Sequence, residues 1–314
     1  MLGRSAWGLF WMFRSLERAE NTARLLDAGF RMALTRGLSA SSEEWRSVLI
    51  TLGLDGDFAA TGADYTGPVV TNFVLRSPDN TASVLCMIEQ ARTNARMVRT
   101  ALTREVWEAT NESWMVLNAL LARPVVESSL GEVLDTIRRH TTLVRGAMEG
   151  TMLRNDIFNF ARMGTHIERA DNTARILDVK YHVLLPSLAW VGSALDNAQW
   201  EMVLRSVAGE RAFRWMNAGA LDPKGIAEFL ILDARFPRSL AFCYNTLLSN
   251  MADLGQAYGE TTGAHEMLRQ AQKRFSQTTI AQIFDFGLHE FINDFINSNR
   301  QIAEAIAADY RFIE

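Results

Sequence analysis

The chain carries one eleven-residue phrase twice. Glu17-Arg18-Ala19-Glu20-Asn21-Thr22-Ala23-Arg24-Leu25-Leu26-Asp27 returns 151 positions later as Glu168-Arg169-Ala170-Asp171-Asn172-Thr173-Ala174-Arg175-Ile176-Leu177-Asp178. Only Glu20/Asp171 and Leu25/Ile176 differ, and both exchanges keep the chemistry. Helical periodicity accounts for the recurring Leu and Ala. It does not account for Glu, Arg, Asn, Thr and Arg in a fixed order. Any fold for this chain must accommodate two like helices carrying like polar sets.

At about 100° per residue, Leu16, Ala19, Ala23 and Leu26 share one apolar stripe, as do Ile167, Ala170, Ala174 and Leu177. Arg14, Glu17, Asn21 and Arg24 fall opposite, three or four residues apart and within mutual reach, and Glu168, Asn172 and Arg175 repeat them. The ordinary reading is two solvated, salt-bridged faces, each pair worth a few tenths of a kcal/mol. A solvated face, however, accepts Lys, Gln or Ser almost anywhere and gives no reason for this repetition. If the two helices pack face to face, Glu17 and Glu168 find Arg14, Arg24 or Arg175 in a desolvated network, for which the planar guanidinium is suited. Arg14, Glu17, Arg18, Asn21, Arg24, Glu168, Arg169, Asn172 and Arg175 form the expected binding or structural polar set.

The likeness extends past the phrase. Trp45-x-x-Val48-Leu49 matches Trp200-x-x-Val203-Leu204, Asn72 to Leu75 resembles Glu228 to Ile231, and Ser83-Val84 matches Ser239-Leu240. These spacings, close to half of the 314 residues, give an all-α fold: an internally duplicated multi-helix bundle with pseudo-twofold halves of roughly 1–150 and 151–314 within a single domain. Helices are expected over Ser5 to Arg36, from Ser41 (with capping-box spacing to Glu44), after Pro68, from Ser77-Pro78-Asp79 to Leu102, and on through Trp107 and Trp114 to Arg123. Others run from Ser129 to Leu185 with an interruption near Gly150, then over Asn197 to Ala208, Pro223 to Leu232, Pro237 to Leu254, and Ile280 to Tyr310. Gly53 to Gly67 reads as a loop, and no segment alternates like a strand.

A hydrophobic fraction of 48% against 22% charged residues is a globular profile, and a net charge of −4 argues against nucleic acid or an anionic membrane as partner. The apolar run after Arg4 is too short for a signal peptide and lacks a cleavage site, and Pro186 breaks the stretch Val183 to Val191. Cys86 and Cys243 stand alone and read as apolar residues of a reducing compartment, so a cytoplasmic location is expected.

No nucleophile is paired with a base in sequence. His140, His166, His182, His265 and His289 show neither HExxH nor a paired Glu-x-x-His, so no metal, cofactor or catalytic residue is assigned. A Glu fully paired with Arg makes a poor base near neutrality, which favours binding or scaffolding over catalysis.

The stretch Trp11-Met12 through Asp27, with Phe229-Leu230-Ile231-Leu232, Phe236-Pro237-Arg238-Ser239 and Phe286-Gly287-Leu288-His289-Glu290-Phe291, resembles the bacterial alpha-E family of all-helical domains with a Glu-Arg motif. Glu17, Arg18, Glu168 and Arg169 fall on its signature positions, and Thr81 stands where that family is expected to have proline. The resemblance implies a setting beside or fused to ATP-grasp and transglutaminase-like proteins, and hence a helical accessory subunit in peptide amide-bond metabolism. The alternative is an enzyme or small-molecule-binding protein whose Glu/Arg/Asn clusters take an anionic peptide-like substrate. A homo-oligomer stays open.

Overall fold

The computed structural model describes residues 3–36, 41–182, 194–217 and 221–312. Among them all regular structure is helical, with no strand. The two copies of the phrase lie on the two longest helices, α1 (Gly3–Arg36) and α8 (Asp156–His182). At 1.5 Å per residue α1 is about 50 Å long. These two helices make the most extensive packing in the molecule. The approach is close because Gly164 faces the backbone of α1: a Cβ at Gly164 would lie 2.1 Å from the Phe10 carbonyl oxygen.

Further helices wrap this pair. Between α1 and α8 come α2 (Ser41–Leu52), α3 (Asp55–Ala59), α4 (Gly67–Arg76), α5 (Val84–Met97), α6 (Arg104–Leu121) and α7 (Glu127–Thr151). After α8 come α9 (Ala194–Ser206), α10 (Glu210–Met216), α11 (Pro223–Ile231), α12 (Leu240–Tyr258), α13 (Gly263–Gln277), α14 (Ile280–Phe286) and α15 (Leu288–Asp309). α5 and α7 pack on α1, while α12 and α15 pack on α8. Two apolar cores result. Leu16, Ala19, Ala23 and Leu26 enter one with Met87, Ile88 and Val144, and Ile167, Ala170, Ala174 and Leu177 enter the other with Tyr244, Leu247 and Ile302. The apolar stripes are buried as the periodicity predicts, but the opposite faces are buried too, with Glu17 and Asn21 each 2% exposed.

Several boundaries differ from expectation, each for a local reason. Ser77-Pro78-Asp79 does not begin a helix: Asn80 accepts from Ala82 N at 3.0 Å and donates to Phe73 O at 3.2 Å, holding a turn until Ser83 caps α5. The Gly53 to Gly67 stretch contains α3, anchored by the fully buried Phe58 against Tyr65 and Phe73. α12 begins only at Leu240, because Ser239 supplies its N-cap by accepting from Phe242 N. The last long segment is split at Gly287, whose φ of 114° separates α14 from α15. Helices α10 and α13 had no sequence expectation behind them. Val183 to Val191, with Pro186, lies outside the described residues. No helix among the described residues is long and apolar enough to cross a membrane.

Candidate functional site: a buried arginine–carboxylate network

The polar faces of α1 and α8 exchange ion pairs. On one side Arg169 of α8 grips Glu17 of α1 through two parallel bonds, Nε to Oε1 at 2.9 Å and Nη2 to Oε2 at 2.8 Å. On the other, Arg18 of α1 grips Glu168 of α8 in the same manner, with Nη2 to Oε2 at 2.8 Å and a short Nε bond to Oε1. The Glu and Arg of each copy thus pair with the Arg and Glu of the other. Helix geometry makes this natural: neighbouring residues on one helix point about 100° apart, so Glu17 and Arg18 present their heads to different edges of the facing helix.

Each glutamate then gathers more cations. Glu17 accepts from Arg145 Nη1 on α7 at 2.6 Å and from Arg238 Nη1 at 2.9 Å. Glu168 accepts from Arg14 Nε at 2.7 Å, and the Arg14 guanidinium lies 4.8 Å from the Trp11 ring, a cation–π contact. Glu20 joins the Glu17 end: Arg24 donates to its Oε1 at 2.8 and 3.0 Å, Arg238 Nη2 to the same oxygen at 2.8 Å, and Arg145 to Oε2. Arg238 Nη1 also meets Asn21 Oδ1 at 2.7 Å.

Arg238 is only 8% exposed along its side chain and stands just before the helix cap at Ser239. Its backbone is fastened to α8, since Thr173 Oγ1 donates to Arg238 O at 2.8 Å and Arg169 Nη1 donates to Pro237 O at 3.4 Å. The recurring Thr of the second copy therefore positions the segment that completes the first copy's charge network.

Of the arginines expected at Glu17 and Glu168, Arg14 arrives but Arg24 and Arg175 do not. Each instead pairs four residues back along its own helix, Arg24 with Glu20 and Arg175 with Asp171 at 2.6 Å. Arg14, Glu17 and Arg18 do meet Glu168 and Arg169 at the α1–α8 contact, whereas Asn21 receives Arg238 and Asn172 lines a pocket beside Arg18. Sequence reasoning missed Arg145 and Arg238. Arg145 carries no local signal, since it lies on an amphipathic helix of mixed charge outside either copy of the phrase. Arg238 carries a faint one: it lies in a segment matched to Thr81-Ala82-Ser83, where the equivalent residue is Ala82.

Burial alone would raise the Glu17 carboxyl. The charges of Arg169, Arg238 and Arg145, with the Arg169 hydrogen bonds, outweigh that and hold it well below the usual carboxylate range. Glu168 behaves alike: burial works upward, but Arg18 and Arg14 bring it down to about 2. For Arg238, burial and the nearby Arg169 and Arg24 outweigh Glu17 and Glu20 and lower it to about 10, so it stays charged at neutral pH. Carboxylates held this far below neutrality are weak proton acceptors, poorly matched to general-base work near pH 7. Cys243, below Arg169, is pushed up to about 12 by burial and is held as the neutral thiol. Among the described residues no group of three or more His, Cys, Asp or Glu side chains converges as metal ligands would.

A family model described as "Alpha-E: a predicted alpha-helical domain with a conserved ER motif" matches residues 1–310. The chain belongs to the Alpha-E family. In this Alpha-E domain the repeated Glu-Arg pairs of the sequence, Glu17-Arg18 and Glu168-Arg169, are the pairs that exchange across α1 and α8. Uncharacterised proteins of Mycobacterium bovis and Mycobacterium tuberculosis are 25% identical to it over 277 residues, covering 81% of this chain and 30% of theirs. The chain thus spans about a third of the length of the curated relatives it matches. No solved structure matches it.

Proposed function

We propose that this Alpha-E domain is a non-catalytic helical accessory or scaffold subunit, acting with an ATP-grasp ligase, a transglutaminase-like protein or both in peptide amide-bond metabolism. The observation that carries the non-catalytic part is the state of Glu17 and Glu168. Both are buried, each is gripped bidentately by an Arg, and both are held below the range in which a carboxylate accepts protons. Their work is to bind α1 to α8. The longer mycobacterial relatives fit a domain that operates as one module of a larger assembly. In this reading the chain is a single cytoplasmic domain of two duplicated halves, roughly 1–150 and 151–314.

The alternative, an enzyme or a receptor for an anionic peptide-like substrate at the Glu/Arg/Asn clusters, fits less well. The inward donors of Arg14, Arg18, Arg145 and Arg169 are already spent on carboxylates of the chain itself. Affinity purification of the tagged protein from its native host, with mass spectrometry of what accompanies it, tests the proposal. Recovery of an ATP-grasp or transglutaminase-like protein in fixed proportion is expected. Recovery of the protein alone, with turnover of an amide substrate that Glu17→Gln abolishes, would overturn it.

A further inference from the structure

The donors around the two glutamates Glu17 and Glu168 are alike except at one position, although Arg145 also reaches on to Glu20 whereas Arg14, among the described residues, pairs only with Glu168. At the Glu17 end, Oε1 accepts from Arg169 Nε and from Arg238 Nη1, while Oε2 accepts from Arg169 Nη2 and Arg145 Nη1. At the Glu168 end, Oε1 accepts from Arg18 Nε, while Oε2 accepts from Arg18 Nη2 and Arg14 Nε. The donors match one for one, with Arg18 standing for Arg169 and Arg14 for Arg145. The Arg238 bond has no counterpart.

Its place in the chain shows why. Arg238 immediately precedes Ser239, the N-cap of α12, and Ala82 immediately precedes Ser83, the N-cap of α5. An arginine side chain is therefore replaced by a methyl group, and a cavity of about 250 Å³ opens there, lined among others by Arg18, Ala82, Glu168, Asp171, Asn172 and Arg175. That is far more than the ~30 Å³ share of one water molecule. The other acceptors of Arg238 are also duplicated. Glu20 Oε1 and Asn21 Oδ1 receive it at one end; Asp171 and Asn172 occupy the matching helix positions at the other. Asn172, 8% exposed, is a buried member of this set as Asn21 is of the other.

We propose that this cavity is a receptor for a guanidinium group, which takes at Glu168, Asp171 and Asn172 the position that Arg238 takes at Glu17, Glu20 and Asn21. The charge balance permits it. Glu168 and Asp171 stand with Arg14, Arg18 and Arg175, just as Glu17 and Glu20 stand with Arg145, Arg169 and Arg24, and the latter set already accommodates a buried guanidinium. The fork shape matters as well. One planar group reaches three acceptors on one helix face, which a compact ammonium cannot do. Asp171, one methylene shorter than Glu20, leaves extra depth for a mobile ligand in place of a tethered side chain. The source is an arginine side chain of a peptide or a small guanidino compound. The inference holds whichever proteins the domain works with.

The test is calorimetric titration of the full chain at low salt with agmatine, with the tripeptide Gly-Arg-Gly, and with butylamine and acetate as controls. Saturable binding of a guanidinium probe is expected, at least tenfold tighter than butylamine. Ala82→Arg, which returns the missing side chain, should weaken that binding at least tenfold and raise the melting temperature. Ala82→Leu should weaken it by blocking the cavity and serves if Ala82→Arg fails to fold. Tighter binding of agmatine assigns a small guanidino ligand, and tighter binding of Gly-Arg-Gly assigns an arginine within a chain. The proposal is overturned if neither probe binds saturably, if butylamine binds as well, if acetate binds in their place, or if binding survives in the folded position-82 variants.

Discussion

Replacing Glu17 with Gln keeps the shape of the side chain and removes its charge. Three guanidinium groups then lose their shared counter-ion: Arg169 and Arg238, with side chains 10% and 8% exposed, and Arg145 at 23%. Glu20 can compensate only Arg145 and Arg238, and it already serves Arg24. Breaking a buried pair by removing one partner costs about 3–5 kcal/mol, because the remaining charge stays desolvated. For a chain of 314 residues, unfolding entropy near 2 cal/mol/K per residue makes each kcal/mol worth about 1.5 °C, so Glu17→Gln should lower the melting temperature by roughly 5–8 °C. Glu168→Gln should cost less, since Arg18 is 40% exposed and can turn toward water. Glu108→Gln, at an exposed pair with Arg104, should cost under about 0.5 kcal/mol. Thermal unfolding followed by circular dichroism reads all three. If Glu17→Gln melts like Glu108→Gln, the reasoning from burial is wrong.

Two further outcomes follow from the same packing. Gly164→Ala places a methyl 2.1 Å from the Phe10 carbonyl oxygen, a backbone atom that cannot turn aside, and should cost about 3 kcal/mol in urea unfolding by forcing α1 from α8; a neutral effect would mean the helices are not that close. Stability should also fall with acid. Because folding depresses the Glu168 carboxyl from 4.5 to about 2, its contribution, about 3 kcal/mol, is complete above pH 4.5 and drains away as pH falls toward 2, with Glu17 and Glu20 shifted in the same sense; a stability profile flat between pH 5 and 3 would refute the pairing.

How far the sequence could be read depended on whether the deciding interaction was local. The apolar stripes of α1 and α8 were legible because helical period alone places Leu16, Ala19, Ala23 and Leu26 together. The network was legible as a set of residues but not as a set of pairs. A wheel puts Glu17 and Arg24 on one face and leaves Arg18 aside, yet Arg18 and Arg169 make the bidentate bonds because the partner helix, not the wheel, decides which edge is met. Arg145 and Arg238 reach Glu17 from 128 and 221 positions away, a distance no periodicity reports. The misplaced start of α5 is a competition between signals: Ser77-Pro78 looks like a helix entry, but Asn80 and Ser83 capture the backbone donors first.

The two Glu-Arg pairs join α1 to α8 by exchange. A double-mutant cycle across that contact, Glu168→Gln and Arg18→Met singly and together, measures it most directly, because the residues are 150 positions apart and effects on either helix alone cancel. A coupling of about 1.5–3 kcal/mol between them is expected. Additivity within about 0.5 kcal/mol would contradict it, leaving Glu168 and Arg18 as neighbours that do not hold the helices together.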